Sequence, residues 1–312
     1  MKQIIVLALF TFSLAIGNSQ TVSTPVVGFS KVNLSSGTVL LSPGFVKATQ
    51  YGGSAVITGQ SFSATGLISG NFNGSSFSDR PNYPRYYVEI VSGVNEGFAF
   101  DVVSNSSTSI TATGVPASLN GQTVTIAVRP HVTLDDIVTA QSGLSDYSDA
   151  VNLTTPDGGT LTRYYASGSW VAEDFSTPAG HTVIYPGNAI SVSTAGAVSL
   201  TTSGTVKPTK TQVPLYASVV NLVGPMNPAG ASKINALGIQ YALEPYADGF
   251  NTYASDGSGV TTGTYYSDGS SVLDAGFSPL DQTSPDSVPS NVGFAVSVSA
   301  DTYWTMPSPL NP

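Results

Sequence analysis

The sequence predicts an all-β chain built as two β-sandwich or barrel-like domains with repeated hairpins. Three observations carry this. Only 9% of the 312 residues are charged, while 41% are hydrophobic and 10% aromatic. That balance excludes a disordered chain, which would be rich in charge and poor in apolar residues. The 32 Gly and 20 Pro, about one residue in six, combine with a Ser and Thr content of roughly a quarter. Gly, Pro, Ser, Thr and Val are poorer helix formers than Ala, Leu, Glu or Lys, so long helices are disfavoured. Finally, short alternating or β-branched runs recur between Gly, Pro, Asn and Asp, the pattern of sandwiches and barrels rather than of βαβ units.

The first element in order is a secretory signal peptide over residues 1–19. Lys2 supplies the positive start, an apolar run extends from Ile4 to Ile16, and Gly17 and Ser19 place small residues before a cut near Ser19 or Gln20. The run is shorter than the roughly 20 residues that span a bilayer. The expected location is secreted, extracellular or at the cell surface, with the periplasm as the alternative. Cysteine is absent, which excludes disulfides, thiolate metal sites and thiol catalysis. Losing Lys2 with the signal takes the formal charge from −9 to −10. An acidic chain repels nucleic acid and anionic lipid, so neither is an expected partner, and no integral membrane segment follows the signal.

Strands are predicted at Val26–Leu34, Thr38–Leu41, Ser54–Ile57, Tyr86–Val91, Phe98–Val103, Ser109–Ala112 and Thr123–Arg129. A short helix is predicted over Thr133–Val138, where Thr133 and Asp136 have capping-box spacing. These lie in an N-terminal β domain over residues 20–140. A Ser/Asp/Gly-rich linker follows over 141–160. The C-terminal β domain, residues 161–312, holds predicted strands at Leu161–Ala166, Thr182–Tyr185, Ala189–Ser193, Ala197–Thr201, Leu215–Val220 and Phe294–Val298, and a short helix at Ser232–Leu237.

Internal similarity marks a duplicated module in the second half. The run from Tyr164-Tyr165 through Gly168, Trp170 and Val171 is echoed from Tyr265-Tyr266 through Gly269, Ser271 and Val272. Gly187 to Ser193 is likewise echoed by Gly293 to Ser299. A tighter repeat, Thr252 to Val260 and Thr264 to Val272, reads as adjacent hairpins with type I′ turns at Asp256-Gly257 and Asp268-Gly269.

Val27-Gly28-Phe29-Ser30-Lys31-Val32, Tyr86-Tyr87-Val88-Glu89-Ile90, Ser92-Gly93, Glu96-Gly97, the Trp170 hairpin and Asn221-Leu222-Val223-Gly224 together resemble a family of uncharacterised secreted β-rich proteins found chiefly in verrucomicrobial bacteria. The resemblance spans most of the chain after the signal. Its hairpin usually ends in Trp-Arg, whereas Val171 follows Trp170 here and Ser271 stands at the expected second Trp. The resemblance implies export and a β-rich fold, and assigns no activity, cofactor or catalytic residue.

Candidate chemistry is sparse. Glu89, Glu96 and Asp101 form the closest acidic cluster, which a secreted hydrolase could use if two of them shared a cleft. His131 with Asp135 and Asp136 falls below a three-ligand zinc site, and His181 stands alone. There is no Gly-x-Ser-x-Gly elbow, His-Glu-x-x-His or Walker-type loop. Asp248, Asp256, Asp268 and Asp274 offer calcium hard oxygen donors in Gly-rich loops, but none fits a calcium-loop pattern, and Asp-Gly turns explain them. Tyr164, Tyr165, Trp170, Tyr253, Tyr265 and Tyr266 could form a carbohydrate platform if exposed, or pack across strands if not. The expectation is a non-enzymatic structural or adhesion protein with no catalytic, metal or cofactor-binding residue. Self-association or surface glycans are the expected partners, and Thr21 to Val27 could extend into a neighbour's sheet. A glycan-binding module is the alternative and a secreted hydrolase the next.

Overall fold

A computed structural model describes residues 25–77, 83–137, 143–155, 159–217, 219–281 and 283–310. The signal peptide, Gln20, residues 21–24 of the run expected to extend into a neighbour, residues 138–140 at the end of the expected N-terminal domain, and residues 141–142 and 156–158 of the expected linker lie outside the described residues. All regular structure described is β-strand or single-turn 3-10 helix, as the composition requires.

The chain builds three cores. Strands Tyr51–Thr58, Ser61–Ala64, Tyr86–Ile90, Ala99–Asn105, Ser109–Ala112 and Thr123–Pro130 close into a six-stranded barrel. Its interior is filled by alternate residues, among them Ile57, Phe62, Val88, Ile90, Phe100, Ile110, Ile126 and Val128. Closure leaves no open edge.

The other two cores belong to two copies of one β-sandwich. In the first, a sheet runs in the order Ser169–Val171, Thr160–Ala166, Ala150–Thr154, Ile190–Thr194, Gly37–Leu41. In the second, the order is Val272–Leu273, Thr261–Ser267, Gly249–Tyr253, Phe294–Ser297, Val220–Val223. Each sheet faces a long strand pair, Val27–Leu34 with Val198–Thr205, or Thr211–Leu215 with Thr302–Met306. Each copy adds a two-residue pair beside a 3-10 turn: Val132–Thr133 with Val183–Ile184 before Leu134–Asp136, and Ser232–Lys233 with Ser287–Val288 before Ile234–Ala236. The barrel is an insertion in the first copy. Residues 42–131 separate two of its strands where residues 224–231 suffice in the second.

The copies contact each other reciprocally. Gly293 N–H donates to Leu40 C=O, and Ala189 N–H to Leu222 C=O; Ser42 N–H donates to Asn291 C=O, and Gly224 N–H to Gly187 C=O. Leu40 corresponds to Leu222 and Gly293 to Ala189, so each bond has its mirror. That reciprocity defines an isologous, pseudo-two-fold contact inside one chain.

Several expectations change. The stretch expected as a linker contains Ala150–Thr154, the central strand of the first copy's sheet. The boundary fails there because Gly37–Leu41 and Val27–Leu34, in the expected N-terminal domain, pair with Ile190–Thr194 and Val198–Thr205. The predicted strand Leu215–Val220 straddles a turn instead, held by the Asn221 side chain, which accepts from Tyr216 N–H at 2.8 Å and donates to Tyr216 C=O at 3.0 Å. Both predicted helices shrink to single 3-10 turns at equivalent positions, each following a short strand.

The two echoed hairpins occupy matching places in their sheets, but in a register one residue away from the alignment the sequence suggests. Tyr165 pairs with Trp170 and Ser267 with Val272, so Tyr164 corresponds to Tyr266 and Trp170 to Val272, not to Ser271. The Tyr-Tyr pairs invited the wrong alignment, and a one-residue slip exchanges the faces of a strand. The two Asp-Gly hairpins are adjacent, as expected, but not type I′: Gly257 and Gly269 have positive φ while their aspartates do not. The short turn with two positive φ angles is Ser167-Gly168.

Candidate functional site

Alternation along Tyr86–Ile90 sends Val88 and Ile90 into the barrel and Glu89 outward. Outward is not solvent here, because the connection between the two sandwich copies, residues 206–210, crosses this face. Glu89 is fully buried. Its Oε2 lies 3.2 Å from Arg129 Nε, and its Oε1 lies 2.5 Å from Lys207 Nζ and accepts from the Thr209 hydroxyl at 2.6 Å. Lys207 also donates to Thr209 Oγ1 at 2.7 Å and to Lys210 C=O, and Arg129 reaches Lys47 C=O at 3.2 Å. Burial pushes the Lys207 ammonium below its ordinary pKa, with Glu89 opposing the shift. Burial, then the Glu89 charge, raises the neighbouring Tyr87 phenol well above its usual value. Both carboxylate oxygens of Glu89 are therefore committed to a buried ionic knot tying barrel to connection.

The other two acids take separate partners. Asp101 Oδ2 accepts from the Tyr185 hydroxyl at 2.8 Å, and Oδ1 lies 3.0 Å from Nε2 of buried His131. The His131 ring sits 5.0 Å from Tyr87 and 5.2 Å from Tyr185, centroid to centroid. Glu96 accepts from Lys210 N–H at 3.0 Å. The structure thus brings each acid to the seam between barrel and sandwiches without aiming two at one point. A cleft of about 370 Å³ opens along this seam, walled by Phe98, Asp101, Tyr185, Lys207, Gln212 and Tyr303. A second, of about 430 Å³, shares Thr154, Tyr185 and Asn188 with it. Asp101 presents a hydrogen-bonded carboxylate at the wall of the first, beside aromatic faces.

The remaining candidates also resolve into local roles. Asp136 accepts from the N–H and hydroxyl of Thr133 at 2.8 and 3.0 Å and pairs with Lys47. Asp135 is raised by burial and by Asp136, against an opposing effect of His181. His181 stacks on Phe77 at 3.8 Å. Among the described residues, no three His, Asp or Glu side chains converge as a metal site. Asp248 is a buried clamp: Ser299 N–H and Glu244 N–H each donate to it at 2.8 Å, just as Ala195 and Ser145 donate to Asp149 in the first copy. Asp256, Asp268 and Asp274 accept backbone N–H groups within their own turns. The first two are held below the ordinary carboxylate pKa, Asp256 by Ser258 and Asp268 chiefly by the Ser270 and Ser271 N–H groups.

Of the aromatic candidates, Tyr165, Trp170 and Tyr265 pack in the cores. Tyr253 is half-buried on a strand. Tyr164 and Tyr266 are half-buried and meet partners that the sequence reading missed. Tyr164 lies 4.6 Å from Phe175, which lies 5.9 Å from Tyr147; Tyr266 lies 4.7 Å from Phe277, which lies 6.3 Å from Tyr246. The signals were present as Tyr-x-Asp at Tyr147 and Tyr246 and Phe-Ser at Phe175 and Phe277. They went unread because the residues of each trio are scattered over three segments.

The fold and this seam define an all-β protein with a barrel inserted into a duplicated sandwich. No family model, curated protein or solved structure matches the chain.

Proposed function

We propose that the chain is an exported, non-enzymatic structural or adhesion protein of the cell surface or extracellular space that acts through β-strand association. One observation carries the reading. Among the described residues Val27–Leu34 pairs on one side only, with Val198–Thr205, and its outer end presents Val27 at 70% and Phe29 at 77% exposure. An edge strand with bare hydrophobic side chains and a free row of N–H and C=O groups is a template for another strand, and edges left solitary are normally guarded by charge, Pro or bulges. Lys31 alone guards this strand.

The test is the mass of residues 20–312 in solution across a concentration series. The expected outcome is reversible association that Val27→Lys with Phe29→Lys abolishes while the thermal unfolding transition is retained. A chain that stays monomeric at all concentrations, or associates equally with both lysines present, sinks the reading.

A further inference from the structure

Both sandwich copies carry the same aromatic trio, two exposed rings beside a half-buried tyrosine, and we infer that each trio is a stacking site for a ring of an uncharged polysaccharide. The trios are Tyr147, Tyr164 and Phe175 in the first copy, and Tyr246, Tyr266 and Phe277 in the second. This inference is independent of the edge strand.

Backbone geometry is the first support. Six non-glycine residues have positive φ among the described residues, and four belong to the trios: Tyr147 at 60°, Phe175 at 57°, Tyr246 at 58° and Phe277 at 60°. The left-handed region is unfavourable for a bulky L-residue. This chain uses Gly at most of its other positive-φ positions, so a turn alone would be served better by Gly. The strain is accepted where it lifts a ring outward: Tyr147 is 59%, Phe175 45%, Tyr246 63% and Phe277 50% exposed.

The second support is what the copies kept. Several core positions changed size between the copies: Trp170 stands opposite Val272, Tyr165 opposite Ser267, and Leu200 opposite Trp304, while Val192 and Leu34 keep their types in Val296 and Leu215. The trio, with two of its three rings exposed, kept its residue types and its ring spacing.

Size and charge select the ligand. Each Phe or Tyr carries about 150–250 Å² of buriable surface, so a trio offers on the order of 300 Å², against the roughly 1,000 Å² a specific protein interface needs. One or two pyranose rings fit that area. The segments around the trios hold Asp146, Glu173, Glu244 and Asp274, and their one basic residue, Arg163 beside Tyr164, is buried with its Nε donating to the Thr182 hydroxyl; this disfavours anionic polymers and supplies acceptors for sugar hydroxyls. Two equivalent sites in one chain suit a polymer of repeating units, because linked weak sites gain by effective concentration.

The test is native affinity electrophoresis in gels containing laminarin, hydroxyethylcellulose, galactomannan or dextran, with alginate as the anionic control, and titration with polyproline as the peptide probe. Retardation is expected in at least one uncharged polymer. Phe175→Gly and Phe277→Gly, which suit the left-handed backbone, should each weaken it several-fold. Together they should weaken it by more than about tenfold, the scale of lost bivalency. Titration with the oligosaccharide of the retarding polymer should show two sites, then one, then none. Phe175→Leu with Phe277→Leu keeps side-chain bulk without the aromatic face and should behave as the double glycine variant does. Retardation by none of the four polymers, retardation by alginate alone, polyproline binding that the paired variants abolish, or polymer binding that they leave intact would each overturn the inference.

Discussion

Glu89 carries the largest residue-scale consequence. A carboxylate, an ammonium and a guanidinium are removed from water together, and their mutual attraction must offset a desolvation cost of several kcal/mol per ion. Removing one member leaves the others buried and uncompensated. Glu89→Gln should therefore destabilise the chain by about 3–5 kcal/mol, measured by urea unfolding at neutral pH. A loss below about 1 kcal/mol, the range of exposed pairs, would show that water already reaches the knot. The alternation that turns Glu89 away from the barrel interior was legible in the sequence. What covers that face was not: Lys207 and Thr209 arrive from more than a hundred residues away, and no local pattern announces them. The same holds for Asp101, whose partner hydroxyl on Tyr185 comes from the other side of the seam.

At the scale of elements, hairpins are the best-read feature and their turns the worst. Ser109–Ala112 falls where β-branched alternation puts it, and most other strands differ from expectation by a residue or two at their ends. Strands carrying polar or small residues, such as Gly249–Tyr253, escape because their pairing, not their own composition, makes them strands. The turn around Asp174 shows how aspartate replaces expected turn chemistry. Its carboxylate accepts from Ser176 N–H at 2.9 Å, Thr177 N–H at 2.8 Å and the Thr177 hydroxyl at 2.6 Å, and holds the loop that lifts Phe175. The Thr177 and Ser176 donors hold its pKa far below the ordinary carboxylate range. A carboxyl whose folded pKa is depressed stabilises above the unfolded value, about 3.9, and that contribution is lost as pH falls through the lower folded value. Asp174→Ala should therefore lower the melting temperature most at pH 6, and the gap to the parent chain should narrow steadily below about pH 4. A gap that widens on acidification would reverse the assigned sign.

The whole molecule is organised by a duplication that one half of the sequence concealed. The repeated hairpins were readable within residues 161–312, but the first copy begins at Val27, is interrupted by the barrel, and resumes at Val132. An insertion of that length breaks the periodicity on which repeat detection relies. The reciprocal hydrogen bonds predict that the two sandwiches unfold as one cooperative body, and the approach between them is close. A Cβ added at Gly224 would lie 2.4 Å from Ser42 Cβ and 3.2 Å from Gly293 Cα, and one at Gly293 would lie 2.4 Å from Ala189 Cβ. The chain contains two tryptophans, and the cores divide them: Trp170 in the first copy, Trp304 in the second. Trp304→Phe leaves a reporter for the first copy alone, and Trp170→Phe one for the second. Each variant should show a fluorescence transition coinciding with its own far-ultraviolet circular dichroism transition, since coincident probes mark two-state unfolding. Gly224→Val should shift the two reporters together, by about 1–3 kcal/mol, the usual cost of overpacking. If only the Trp304 signal moves, or the reporters separate in the parent background, the copies unfold independently and the reciprocal bonds are a contact between separate folding units.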